Sequence, residues 1–178
     1  MANERLNITR RRDLARAIDE LAAAGTMGTV IEIMHRNTRR LIGADGISIV
    51  LRDGEFCHYV EEDAIEPLWK GQRFLADTCV SGWAMIHRES AVIPDIARDP
   101  RIPHALYDET FVRSMVMAPI IGEPEVGAVG ALGAYWSEAA APSEAGVLAL
   151  ESIARFAGLA ISRIDAVEAV SRGEMGSA

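Results

Sequence analysis

Val112-Arg113-Ser114-Met115-Val116-Met117-Ala118-Pro119-Ile120-Ile121, followed by Val126-Gly127-Ala128-Val129-Gly130-Ala131-Leu132-Gly133-Ala134-Tyr135-Trp136, is the strongest strand signal in the chain. Both runs are apolar and nearly free of charge, and a turn through Gly122, Glu123 and Pro124 separates them. Runs of this kind bounded by turn residues read as two strands, 112–121 and 126–136, joined by that turn. Strand residues two apart share a face, so Met115 and Met117 look the same way. Their flexible thioethers suit either an adaptable pocket or an ordinary core.

Upstream of this pair, Ala91 to Ile96 reads as a short strand and Ser81 to His87 as a short helix. Asp99-Pro100-Arg101-Ile102-Pro103 is a proline-stiffened loop leading into a polar helical turn from His104 to Phe111. Further back, Ile47 to Leu51 is rich in β-branched residues, and Asp53-Gly54 is a hairpin turn that returns the chain along Phe56 to Val60. Cys57 and Tyr59 then face opposite to Phe56, His58 and Val60. Glu61 to Thr78 is a variable stretch with Pro67, Trp69 and Phe74, and its acidic Glu61-Glu62-Asp63 reads as a solvated loop.

Helical patterns flank these strands. Leu14, Ala17, Ile18 and Leu21 form an apolar stripe over 13–24, and Thr26 caps a second helix that stops at Gly43. Pro142-Ser143 opens a long helix, Glu144 to Val170. One apolar line in it runs through Val147, Leu150, Ala154, Ala157, Ile161 and Ile164, and another through Ile153, Phe156, Ala160 and Val167. Two lines ask for two partners, one of them the sheet and the other either the N-terminal helices or a second copy of the chain. Clustered strands between helices predict an α+β fold with a mainly antiparallel sheet. The reading gives a polar basic segment at 1–12, one domain over 13–170 and a flexible tail at 171–178.

With 178 residues, 49% of them hydrophobic and 25% charged, the chain can bury a full core. A net charge of −8 argues against nucleic-acid binding, which needs a basic surface to displace phosphate counterions. No uninterrupted apolar run approaches the roughly 20 residues that span a bilayer. Two cysteines, Cys57 and Cys79, fit a reducing cytoplasm better than a disulfide framework. The histidines 35, 58, 87 and 104 form no pair at ligand spacing, and no metal is expected.

The stretch Gly43 to Ile164 resembles the GAF family of regulatory domains. The resemblance is carried by Gly43-Ala44-Asp45-Gly46, Cys79-Val80-Ser81-Gly82-Trp83-Ala84, Val92-Ile93-Pro94-Asp95-Ile96, the strand ending in Ala118-Pro119-Ile120, and Gly127 to Leu132 with a tryptophan and long helix after it. It is nearest to the GAF sensor domains of bacterial histidine kinases and phytochrome-related proteins. It implies a six-stranded sheet with the terminal helices on one face, and loops and short helices enclosing a ligand pocket on the other. The pocket roof would be Trp69 to Phe74, Ser81 to His87 and Asp99 to Phe111, and the floor Tyr59, Met115 and Met117.

Candidate ligand-binding residues on that mapping are Tyr59, Trp83, Asp95, Arg101, His104, Tyr107, Phe111, Met115 and Met117. Trp83 could stack on a flat ligand or fill the core, and Asp95 could bind a polar group or cap a turn. His104 and Tyr107 could face one cavity. Arg101 and Arg113 could hold a carboxylate, Arg113 otherwise pairing with Asp108 or Glu109. The resemblance places Pro103-His104 where phytochrome-like members carry the cysteine and histidine that attach a bilin, and a proline ring forms no thioether. The cyclic-nucleotide signature is absent upstream of Asp108-Glu109. Cys57 and Cys79 do not reproduce the cysteine pattern of the free methionine sulfoxide reductases that share the fold. The expectation is therefore a non-enzymatic cytoplasmic sensor of unknown ligand, homodimeric through its terminal helices, signalling to a partner such as a histidine kinase. The alternatives are a ligand-free dimerisation scaffold and a reductase.

Overall fold

The computed structural model describes residues 2–123 and 127–175. In chain order the elements are helices α1 (Ala2–Ala23) and α2 (Met27–Ile42), strands β1 (Gly46–Asp53), β2 (Phe56–Ala64) and β3 (Arg73–Leu75), and a 3-10 turn (Ala76–Thr78). They continue with α3 (Val80–His87), β4 (Ala91–Ile93), α4 (His104–Tyr107), β5 (Ser114–Ile121), β6 (Ala128–Trp136) and α5 (Glu144–Met175). The six strands form one sheet in the order β3-β2-β1-β6-β5-β4, with every neighbouring pair antiparallel. The expected α+β architecture is present.

Local chemistry accounts for the boundaries. The Thr26 hydroxyl accepts the Thr29 amide at 3.2 Å and starts α2, while Gly43 in the left-handed region (φ 73°) ends it. Asp45 then ties the start of β1 to the end of β6, its carboxylate accepting the Ser137 amide at 2.8 Å and hydroxyl at 2.7 Å. Trp136 closes the same corner by donating its indole N–H to the Gly43 carbonyl at 2.9 Å. The Gly43-Ala44-Asp45-Gly46 motif is thus a latch between the helices and the sheet centre.

The alternation of β5 and β6 divides the interior in two. Val116, Ala118, Ile120, Leu132 and Ala134 face the terminal helices, joining Leu21, Val30, Met34, Leu150, Ile153, Ala157 and Ile161. Met115, Met117, Ala131 and Tyr135 face the other way, into a second core beneath β3, α3, α4 and the loops. Both apolar lines of α5 are buried within the chain apart from Val147 and Phe156, half-buried, and Val167, exposed. By length and composition α5 is apolar enough to cross a membrane, although charged residues interrupt its apolar run. In this fold its apolar residues pack on the sheet and on α1 and α2.

Several boundaries differ from the sequence reading. α1 begins at Ala2, so Arg10-Arg11-Arg12 lies within a helix and not in a segment ahead of it. α5 continues past Val170 to Met175, and 176–178 lie outside the described residues, as do Pro124 and Val126 of the expected turn and strand. The stretch 61–78 is not one loop: β2 runs through Glu61-Glu62-Asp63 to Ala64, and β3 pairs with β2 from Arg73 to Leu75. β4 stops at Ile93 because Pro94 has no amide to continue the ladder.

Candidate functional site

The site begins with the sheet face formed by Ser48, Tyr59, Met115, Met117 and Tyr135. Gly133 lies at its centre, paired with Ser48 on one side and Met117 on the other. With no side chain at Gly133, Tyr135 folds across it and its hydroxyl meets Ser48 Oγ at 2.6 Å. A Cβ at that position would stand 2.5 Å from the Tyr135 oxygen.

Above this floor sits the indole of Trp69, carried by the loop between β2 and β3 and only 5% exposed. Its ring meets the edges of Tyr107 (centroids 4.9 Å apart), Tyr135 (5.6 Å) and Tyr59 (5.7 Å). Phe74 adds a further edge contact on Tyr59 at 5.5 Å. Such edge-to-face pairs each contribute about 0.5–1.5 kcal/mol beyond area burial. The space expected to hold a ligand is therefore filled by the chain's own rings.

Each phenol has a partner. Tyr59 meets Ser81 Oγ at 3.1 Å, and Tyr107 donates to Met115 Sδ at 3.6 Å. Burial pushes all three phenols above their usual range, keeping them neutral. Among the described residues no buried side-chain nitrogen or oxygen lacks a partner.

What holds Trp69 in place is Glu62. Its carboxylate accepts three consecutive amides, from Leu68, Trp69 and Lys70, each at 2.9 Å. The solvated-loop reading of 61–63 is corrected, since Glu62 is the clamp of the loop and Asp63 pairs with Arg39 at 2.8 Å. Glu62→Gln removes one of the two accepting oxygens. It is expected to cost about 1.5–3 kcal/mol, the range for a hydrogen bond to a charged group. Hydrogen exchange should show it directly: the amides of 68–70 should exchange faster while those of β5 and β6 stay protected. Unchanged exchange at 68–70 would show the clamp to be idle.

The remaining candidates separate into buried and surface groups. Tyr59, Tyr107, Met115 and Met117 come together in the second core, and Phe111 packs half-buried at its margin. Trp83 is half-buried, stacked on His87 at 4.3 Å and covered by the Arg101 guanidinium at 4.7 Å. Arg101 is committed to Asp99 through contacts of 2.9 and 2.6 Å, and that pairing pulls the carboxyl down and pushes the guanidinium up. Asp95 caps a turn, accepting the Ala97 amide at 3.0 Å and pairing with Arg98. Arg113 donates to the carbonyls of Thr110 and Val112. His104 is exposed while Tyr107 is buried, so the two do not share a cavity.

Sequence reasoning named Trp69 and Ser81 only as parts of a roof and missed Ser48, Glu62 and Tyr135. It also missed that Cys57 and Cys79 come together. Cys79 stands at the residue just before α3, and its Sγ lies 3.2 Å from Ser81 Oγ. Cys57, on β2, interacts with the same thiol and the same hydroxyl. The neighbouring Cys57 thiol draws the Cys79 thiol below its usual range, with the Ser81 hydroxyl and the first amides of α3 adding to the effect. The same thiol neighbour, together with burial, pushes Cys57 upward.

The GAF domain family matches over residues 24–162. Solved structures with the same architecture include the GAF domain of a phosphoenolpyruvate-protein phosphotransferase from Coxiella burnetii. It is 17% identical, with 91% of this chain and 98% of that one covered and a TM-score of 0.77. The free methionine-R-sulfoxide reductase of Neisseria meningitidis, solved with its substrate, is 16% identical at a TM-score of 0.73, covering 89% and 91%. The chromophore-binding domain of a bacteriophytochrome from R. palustris is 18% identical at 0.73, covering 88% of this chain and 61% of that one. No curated protein sequence matches. With the latch, the two-sided sheet and this match over most of its length, the chain belongs to the GAF domain family.

Proposed function

We propose that this GAF domain is a regulatory module without catalytic activity, homodimeric through its terminal helices, that responds to a small flat ligand taking the place of Trp69. The observation that carries the reading is the origin of the Trp69 ring. It is supplied by a loop, not by a strand, and one carboxylate holds that loop down. Withdrawal of the loop would open a slot between Tyr59, Tyr107, Tyr135, Met115 and Met117, lined by aromatic edges and thioethers. That lining suits an aromatic or heteroaromatic ring with few polar atoms.

Such an exchange can reach the helices through the strands. Met115 and Met117 touch the layer, while Val116 and Ala118 between them touch the helical core. Support for the dimer comes from apolar side chains left uncovered on the terminal helices. Leu148, Leu159 and Val170 recur at equal eleven-residue steps along α5 and are 57%, 43% and 63% exposed, with Ile8 of α1 at 61%. An eleven-residue repeat keeps a line nearly straight along a helix and suits pairing with a second copy. Output would pass to a signalling partner, such as a histidine kinase, in the cytoplasm.

A second reading, a constitutive dimerisation scaffold, is favoured by the satisfied interior of the second core. Tryptophan fluorescence and hydrogen exchange separate the two. Titration with a bound ligand should loosen 66–72 and move the emission. A domain whose 66–72 amides never respond, across a panel of heteroaromatic compounds, is a scaffold.

A further inference from the structure

We propose that Cys57 and Cys79 are an oxidisable pair, a modification site in which Cys79 attacks hydrogen peroxide and Cys57 then closes an intramolecular disulfide. The inference goes beyond the ligand reading and stands whether or not a ligand replaces Trp69.

Position comes first. The two thiols belong to different elements, β2 and the start of α3, yet they interact with each other, and the Ser81 hydroxyl at 3.2 Å from Cys79 Sγ also holds Tyr59, two residues along β2 from Cys57. Both are free thiols buried in the second core. The sequence Cys79-Val80-Ser81-Gly82 turns sharply against the preceding 3-10 turn, and Gly82 is what permits the approach. A Cβ on Gly82 would stand 1.8 Å from the Ala76 carbonyl oxygen. The start of α3 is thereby pinned next to β2.

The two sulfurs are also unequal, as a two-step oxidation requires. Cys79 is the partly reachable one, 6% exposed against 0% for Cys57. Cys79 has the amides of the first turn of α3 and the Ser81 hydroxyl around it, which favour thiolate, the nucleophilic form. Cys57 keeps its proton and is the resolving group.

The steps balance. The Cys79 thiolate attacks one peroxide oxygen, the O–O bond breaks, and the departing hydroxide takes up a proton to leave as water. Cys79 is now a sulfenic acid. The Cys57 sulfur then attacks the Cys79 sulfur and expels hydroxide, which leaves as water with the Cys57 proton. Two thiols have given two electrons to the peroxide, and the products are one disulfide and two waters. A cellular dithiol or glutathione reverses the change by exchange.

The test uses the full chain, reduced and then freed of reductant. It is exposed to hydrogen peroxide near pH 7, quenched in acid, denatured and alkylated with iodoacetamide. The oxidised chain should take up no alkyl group, lose the mass of two hydrogens and yield one peptide pair joined through Cys57 and Cys79, while the reduced control takes up two alkyl groups. Cys57→Ser should stop at a sulfenic acid that dimedone traps on Cys79, and Cys79→Ser should resist peroxide. Uptake of two alkyl groups after peroxide treatment of the wild-type chain overturns the proposal. So does bridging only between separate chains, or sulfenic acid appearing first on Cys57. The wild-type measurement decides the matter even if a variant folds poorly.

Discussion

Trp69→Ala is expected to lower the unfolding free energy by about 3–5 kcal/mol, the range for truncating a buried large aromatic side chain. For a chain of this length that corresponds to a fall in the thermal midpoint on the order of 10 °C. The cost has two parts: lost burial of the indole, and a cavity that Tyr59, Tyr107 and Tyr135 cannot close because each ring is tethered. Tyr135 is held by Ser48 at 2.6 Å and Tyr59 by Ser81 at 3.1 Å. A cavity with tethered apolar walls is a binding site. Added indole should therefore raise the midpoint of the variant, in proportion to the logarithm of its concentration, and leave the wild-type midpoint where it was. A loss under about 1 kcal/mol would show that the ring only covers the surface. A large loss with no response to indole would show that the layer collapses, which removes the slot on which the ligand reading depends.

The second large effect is expected from Gly82→Ala. In a helix interior alanine is favoured over glycine by about 1 kcal/mol, so propensity alone predicts a more stable protein. Contact predicts the reverse. The new Cβ would meet the backbone carbonyl of Ala76 at 1.8 Å, and a backbone atom cannot rotate away as a flexible side chain can. The 3-10 turn and α3 would have to part, at a cost of roughly 3 kcal/mol or somewhat more. Denaturant unfolding measures the balance, and a neutral or stabilising result would mean that the approach of the two elements is looser than the structure shows. The same variant should slow formation of the Cys57–Cys79 bridge, since Cys79 sits at the junction being pushed apart.

The central hairpin was legible because its two runs are long, apolar and bounded by glycine and proline. The stops at Gly43 and Gly54 were legible because φ is positive at both, 73° and 61°. β3 was not, because a three-residue edge strand beside Gly71 has too few positions to show a period of two. Glu62 escaped notice for a different reason. Its partners are backbone amides, which carry no residue-type signal, so an acidic run that clamps a loop looks like one that faces water. The meeting of Cys57 and Cys79 depends on how β2 lies against α3, a tertiary placement that no local pattern encodes. The Asp99–Arg101 pair is local, two residues apart on a proline-stiffened loop, yet the candidate list treated Arg101 as free. His104 and Tyr107 are three apart in a helix of one turn, and the edge of the core falls between them.

Native mass spectrometry of the full chain, purified without added ligand and compared with its denatured mass, tests the regulatory reading most directly. The account predicts a dimer at twice the 19.3 kDa chain mass, carrying a non-covalent adduct that is lost on denaturation. An adduct-free dimer that stays so after incubation with flat heteroaromatic compounds would contradict the ligand reading and leave a scaffold, and a monomer would contradict both.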